Sequence, residues 1–231
     1  MSFNITKCNV LRITRRHEPI IFNYKLHGRC LEALDTTKYL GVHLSKDLRW
    51  NEHVRNISNK ANKTLGFLKR NLRHCSKATK ERAYKALVQP VVEYCSSVWD
   101  PFTAKNIRQV EMVQRRSARW VLSRYNRQDS VTDMLRDLGW RTLESRRTIA
   151  RLTMLYKFRN KLAYIENSEL KPVTYSSTRS SGHAYKIPNV KCDYFKYSFF
   201  PRTLQEWNKL PSHVALSKSL ESYKGEISTI Y

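Results

Sequence analysis

Six arginines stand in two tight groups whose spacing suits them to hold phosphate. In Arg115-Arg116-Ser117-Ala118-Arg119-Trp120, Arg115 and Arg119 lie one helical turn apart, so their guanidinium forks can meet successive phosphates along one groove. Arg146, Arg147 and Arg151 form a second set of the same kind. Two acids compete for these cations. Glu111, one turn before Arg115, offers an intrahelical ion pair worth only about 0.2–0.5 kcal/mol, and Glu144 is a possible neutraliser of the second set. Two acids cannot match both groups, so phosphate binding is the expected role of each. Lys60, Lys63, Lys69 and Arg70 add a third cluster of cations upstream.

Other chemistries find less support. Nucleotide polymerisation by two metal ions needs carboxylates converging on one point, and the chain has no Asp-Asp pair. Asp129, Asp133 and Asp137 are spaced to share a helical face, where acids more often favour a helix N-terminus or pair with a neighbour such as Arg136. His27-Gly28-Arg29-Cys30 and His74-Cys75 hold four possible metal ligands, but no C-x₂-C accompanies them, and buried thiols with ordinary surface imidazoles are the simpler expectation. No serine has a G-x-S-x-G setting. The six glycines form neither a G-x-x-x-x-G-K nor a G-x-G-x-x-G cradle. No catalytic, cofactor or metal site is therefore expected. Aromatic residues beside cations, as in Arg119-Trp120, Arg124-Tyr125 and Tyr194-Phe195-Lys196-Tyr197, could stack on bases. Trp50, Trp99, Trp120 and Trp140, at helix starts or ends, are expected mainly to lock helices together.

The elements that must position these groups read as α+β. Phe3 to Thr14, Ile20 to Leu26 and Lys38 to Leu44 predict strands of a small antiparallel sheet, with a turn at His27-Gly28-Arg29. Helices take over at Trp50. Val54, Ile57, Ala61, Leu65, Leu68 and Leu72 make one sustained apolar stripe. A second helix is expected from about Lys77 to Val98, kinked at Pro90, which lacks an N–H. The third, about Ala104 to Leu122, should bury Ile107, Val110, Val113 and Val121 and carry Arg108, Arg115, Arg116 and Arg119 on its other face. Ser130 and Gly139 bracket a short helix, and Thr142 opens another that carries Leu152 and Leu155. Tyr175 to Gly182 reads as a serine-rich loop or hinge, and Tyr194 to Phe200 as extended. Short helices around Leu204 to Lys209 and from about Ser217 close the chain. The divisions expected are 1–48 (strands), 49–163 (helical) and 164–231 (mixed).

Composition narrows the partners. Among 231 residues, 43 Lys and Arg oppose 19 Asp and Glu, a net charge of +24, which points to a polyanion and most often to nucleic acid. Of the 43 cationic side chains, 26 fall between Arg49 and Lys85 or between Lys105 and Lys161. The partner's surface should therefore be helical. No run approaches the ~18 apolar residues of a membrane span, and the N-terminus does not read as a signal peptide. Five widely spaced cysteines predict free thiols in a reducing, intracellular compartment, nucleus or cytoplasm alike.

Five ordered segments carry a resemblance. They are Lys38-Tyr39-Leu40-Gly41-Val42-His43-Leu44-Ser45-Lys46-Asp47-Leu48-Arg49-Trp50, then residues 60–72, Glu93-Tyr94-Cys95-Ser96-Ser97-Val98-Trp99-Asp100-Pro101, Val113 to Arg119, and Tyr197 to Thr203 with Trp207-Asn208 and Leu210-Pro211. Together they resemble the C-terminal part of non-LTR (LINE-type, jockey-like) retrotransposon reverse transcriptases. The resemblance implies that Leu40, Gly41 and Val42 occupy the primer-grip hairpin and that the following helices form the thumb, which tracks a template–primer duplex of RNA, DNA or both. The strand at Phe3 to Thr14 would be the palm strand downstream of the catalytic aspartates. Those aspartates, the fingers and most of the palm have no counterpart here, so the Mg²⁺ of the parent polymerase has no expected site. Met1 is expected to be an internal methionine of the parent frame. A separately encoded palm and fingers portion is a possible partner. The competing expectation is a non-catalytic structural or interaction module, a domesticated or decayed remnant without specific binding.

Overall fold

The computed structural model describes residues 4–14, 16–165, 170–173 and 182–231. The serine-rich stretch expected as a hinge lies outside the described residues except for Gly182, as do Phe3 and Arg15.

Short strands open the chain in pairs. β1 (Asn9–Leu11) runs parallel to β4 (Glu32–Leu34), with Val10 opposite Ala33. β2 (Lys25–Leu26) and β3 (Arg29–Cys30) form an antiparallel pair across His27 and Gly28, both at positive φ. β5 (Thr36–Tyr39) and β6 (Val42–Ser45) form the longest hairpin, in register from Thr36–Ser45 to Tyr39–Val42. The expectation of one antiparallel sheet is thus corrected to three two-stranded pairs, one of them parallel. Ile20, Ile21 and Phe22 stay exposed and outside any strand. Lys38 to Leu44, expected as one run, folds back on itself because Leu40 and Gly41 both take positive φ, which a two-residue turn between twisted strands demands.

The helices follow their apolar periodicity. α1 (Asn51–Asn71) buries Val54, Ala61, Leu65 and Leu68. α2 (Lys77–Ala83) starts on Ser76, whose hydroxyl accepts from the Thr79 N–H. The kink expected at Pro90 is spread over a wider distortion. Pro90 cannot donate to the carbonyl four residues back, and just ahead of it Tyr84–Val88 widens into a π-turn before α3 (Gln89–Glu93). Cys95, at a left-handed φ, separates α3 from α4 (Ser96–Trp99). α5 (Ala104–Leu122) lies against α1 and runs in the same direction: Asn106 bonds Asn51 near both starts, and Arg116 bonds Asn62 further along. It buries Val110, Val113 and Val121, with Ile107 half-buried.

α6 (Val131–Asp137) is capped by Ser130 and stops before Gly139, whose positive φ ends it. α7 (Leu143–Arg159) starts at Thr142, which accepts from the Ser145 N–H. The aromatic-rich segment expected as extended is helical instead, as α8 (Asp193–Lys196) and the start of α9 (Phe199–Trp207). α10 (Ser212–Ala215) and α11 (Leu220–Ile230) complete the chain.

Two apolar cores result. The first runs from Val42 to Leu143 and is centred on Trp99, Val110, Val113 and Tyr84. The second packs Leu152, Leu155 and Tyr156 against Leu204, Trp207, Tyr223 and Ile227. The divide between them falls within α7, whose first residue belongs to one core and whose middle belongs to the other. No helix among the described residues is long and apolar enough to cross a membrane.

Candidate nucleic-acid interface

Burial separates the cations expected to hold phosphate. Lys60, Lys63 and Arg70 are exposed on α1 and step by three and seven residues, which places them on one solvent stripe. Phe67, also exposed, lies on the same stripe. Asn62 and Lys69 lie toward α5. The Arg116 guanidinium donates to the Asn62 Oδ1 at 3.2 Å, and partial burial, with Arg116 nearby, holds the Lys69 ammonium below its usual range. Like charges are crowded here with no acid between them. Arg115 and Arg116 are exposed on α5. Glu111 does not neutralise Arg115; its carboxylate accepts the Glu144 N–H at 2.7 Å. Among the described residues, none of Lys60, Lys63, Lys69, Arg70, Arg115, Arg116 and Arg119 forms an ion pair.

Arg119 is half-buried and partly committed, since its guanidinium donates to the Asn126 and Asp129 carbonyls and ties the 126–129 loop to α5. In the second arginine set, the expectation is corrected for Arg147 and Arg151. Arg147 and Arg151 are 0% and 1% exposed and grip the two oxygens of Asp100 at 2.7 and 2.8 Å. Arg151 also reaches Glu206 at 2.9 Å, and Arg202 approaches Asp100 at 3.2 Å. Arg146 forms a two-pronged pair with Glu93. The partners are Asp100, Glu206 and Glu93 rather than Glu144, and neither Arg147 nor Arg151 can reach a solvent-borne phosphate.

The hairpin is fastened to the helices at its turn. The Tyr94 hydroxyl donates to the Leu40 carbonyl at 3.1 Å, and a Cβ on Gly41 would come within 3.0 Å of the Tyr94 ring. Val42 is buried in the first core, whereas Leu40 is 73% exposed. Beneath the turn, the His43 N–H donates to the Nδ1 of His53 at 3.2 Å. His53 is buried against Trp99, with ring centroids 4.9 Å apart. Burial, helped by His43, lowers its pKa to about 4, so the ring is neutral. Between hairpin, α1 and α3 opens a cleft of about 460 Å³, lined by Lys38, His43, Lys60 and Tyr94 among others.

Phe67 and Tyr94 are exposed aromatics that sequence reasoning did not single out as site residues. Phe67 was findable, because it falls off the buried α1 stripe and onto that of Lys60, Lys63 and Arg70. Tyr94 carries no local signal, since its partner is 54 residues away. The three aspartates take structural roles. Asp129 accepts the Asn126 N–H, Asp133 pairs with Arg136, and Asp137 pairs with Arg124. All five cysteines are free thiols, and no cluster of metal-ligating side chains occurs among the described residues. Four of the five tryptophans, Trp99, Trp120, Trp140 and Trp207, are buried. No protein family matches the chain, and neither a curated protein nor a solved structure matches it.

Proposed function

We propose that the chain binds the sugar–phosphate backbone of a template–primer duplex, without reading its sequence, along the face shared by α1 and α5. The observation that carries this is the set of lysines and arginines there that no acid neutralises, in contrast to the α7 arginines. Lys69 adds to that crowding, its ammonium held below the usual range by partial burial and then by Arg116. On this reading the chain corresponds to the thumb side of a non-LTR reverse transcriptase. The Leu40–Gly41 turn and the cleft lined by Lys38, Lys60 and Tyr94 would hold the primer end, and Phe67 would lie against the strand. Polymerisation by this chain alone is not expected.

Charge reversal is the direct test. Arg115→Glu together with Arg116→Glu should weaken duplex binding by about tenfold or more, because each lost phosphate contact removes counterion release. Arg136→Gln, an exposed arginine already paired with Asp133, should leave affinity unchanged. Equal losses in both variants would refute the assignment.

A second reading has one observation in its favour. Ile13, Ile20, Ile21, Phe22 and Tyr24 are all at least half exposed near the N-terminus, an apolar concentration suited to a protein partner. A separately encoded palm and fingers portion would be such a partner, and primer extension restored on mixing would support it.

A further inference from the structure

One cleft differs in character from the basic face. It lies between the starts of α1 and α5 and the start of α8, and has a volume of about 480 Å³, within the range of small-ligand sites. Its walls include three rings, Trp50, Phe102 and Tyr194, and two carboxylates, Asp47 and Asp193. Phe102 is held in place by stacking on Tyr197, centroids 4.3 Å apart and planes within 5°. The buried Asn106 amide donates to Asn51 at 2.8 Å and fixes the polar part of the wall. The Asp47 Oδ1 accepts from the Ser45 hydroxyl at 2.6 Å and from the Arg49 N–H at 3.0 Å, and its Oδ2 faces the Arg49 guanidinium at 3.9 Å. Asp193 is exposed and forms no ion pair among the described residues. As the first residue of α8 it favours that helix's N-terminus, and its exposed carboxylate keeps acceptor capacity toward the cleft.

Flat π ligands stack on such rings. An ionised carboxylate only accepts hydrogen bonds, so it selects a ligand edge with adjacent donors. Among nucleobases, guanine presents N1–H and N2–H side by side, whereas adenine sets its amino group beside an acceptor. A quaternary ammonium would also suit rings and carboxylates, but the positive ends of α1 and α5 and the Arg49 guanidinium at this cleft oppose a free cation.

We propose that this cleft receives an unpaired guanine base, stacked against the aromatic wall and hydrogen-bonded through N1–H and N2–H to the carboxylate of Asp193, with Asp47 completing the acceptor edge. The inference goes beyond duplex binding. Lys60, nine residues along α1 from Asn51, is about 14 Å away at 1.5 Å per residue, so a single strand leaving the basic face could deliver such a base.

The test titrates guanosine, adenosine and tetramethylammonium separately into the full chain, followed by calorimetry. Nucleosides are used because they lack the phosphate that any basic surface attracts. Guanosine is expected to bind about tenfold tighter than adenosine, as a bidentate pair allows. Asp193→Asn, a change at an exposed position, should bring guanosine to the level of adenosine, and Phe102→Ala should weaken both. Binding of neither nucleoside, equal binding of the two, an unaltered preference in Asp193→Asn, or stronger binding of tetramethylammonium would each overturn the proposal. Guanosine binding without duplex binding would refute the reading of the α1–α5 face and leave this one standing, and the reverse result would do the opposite.

Discussion

Arg115 and Arg119 stand four residues apart, as do Arg147 and Arg151, yet burial assigns them different work. The sequence shows a helical spacing in both cases. It does not show that Asp100, 47 residues before Arg147, folds beneath α7 and takes both of the second pair. The terminal nitrogens of Arg147 are buried without a hydrogen-bond partner, so this arginine depends heavily on its one carboxylate. Asp100→Asn is therefore expected to cost about 3–5 kcal/mol, the penalty of leaving buried charge unpaired. Denaturant unfolding at fixed ionic strength measures it, and a loss under about 1 kcal/mol would contradict the buried network. His53 makes a second residue-scale prediction. Its folded pKa of about 4 lies below the ordinary 6.5, so below pH 6.5 the unfolded chain binds the proton that the folded one refuses. This contribution to stability is complete above pH 6.5 and is lost progressively as pH falls toward 4. His53→Asn keeps an acceptor near the His43 N–H without titrating, and should flatten that part of the stability profile; an unchanged slope would assign the acid sensitivity elsewhere.

At the scale of elements, the helices were the most legible part. The stripes of α1 and α5, the Ser130 and Thr142 caps and the Gly139 stop all read directly from residue types, because a helix satisfies its backbone locally. The strands were less so, since Phe3 to Thr14 and Ile20 to Leu26 have strand composition but β1 pairs with a distant β4 and, of Ile20 to Leu26, only Lys25 and Leu26 lie in a strand. Composition does not choose partners. Pro90 signalled a disturbance correctly, but not that the chain would absorb it as a π-turn. The β5–β6 hairpin gives the clearest element-scale prediction. Gly41 has φ +87° and Tyr94 at its back, so Gly41→Ala should destabilise by about 1 kcal/mol or more. The urea midpoint should fall with an unchanged slope, whereas an unaltered midpoint would mean that the turn is not held against α3.

For the molecule as a whole, the excess of positive charge was plain from composition, and its concentration on helices followed from counting along the chain. What counting could not supply was the division of that charge. Lys60, Lys63, Arg70, Arg115 and Arg116 of α1 and α5 face outward without an acid partner, while Arg147 and Arg151 of α7 are buried on Asp100 between two apolar cores. The second task is architectural: α7 carries residues of both cores, Arg202 brings α9 to the same carboxylate, and Glu206 of α9 pairs with Arg151. The first task is the central functional claim, and the salt dependence of duplex binding tests it most directly. Filter binding over a salt series should give a log–log slope of about −3.6 to −4.5 on B-DNA, which corresponds to roughly four or five phosphate contacts at about −0.9 each. Reversing Arg115 and Arg116 should make that slope shallower by about two contacts. A flat response in the unaltered chain, or a slope that the reversal leaves untouched, would contradict the account.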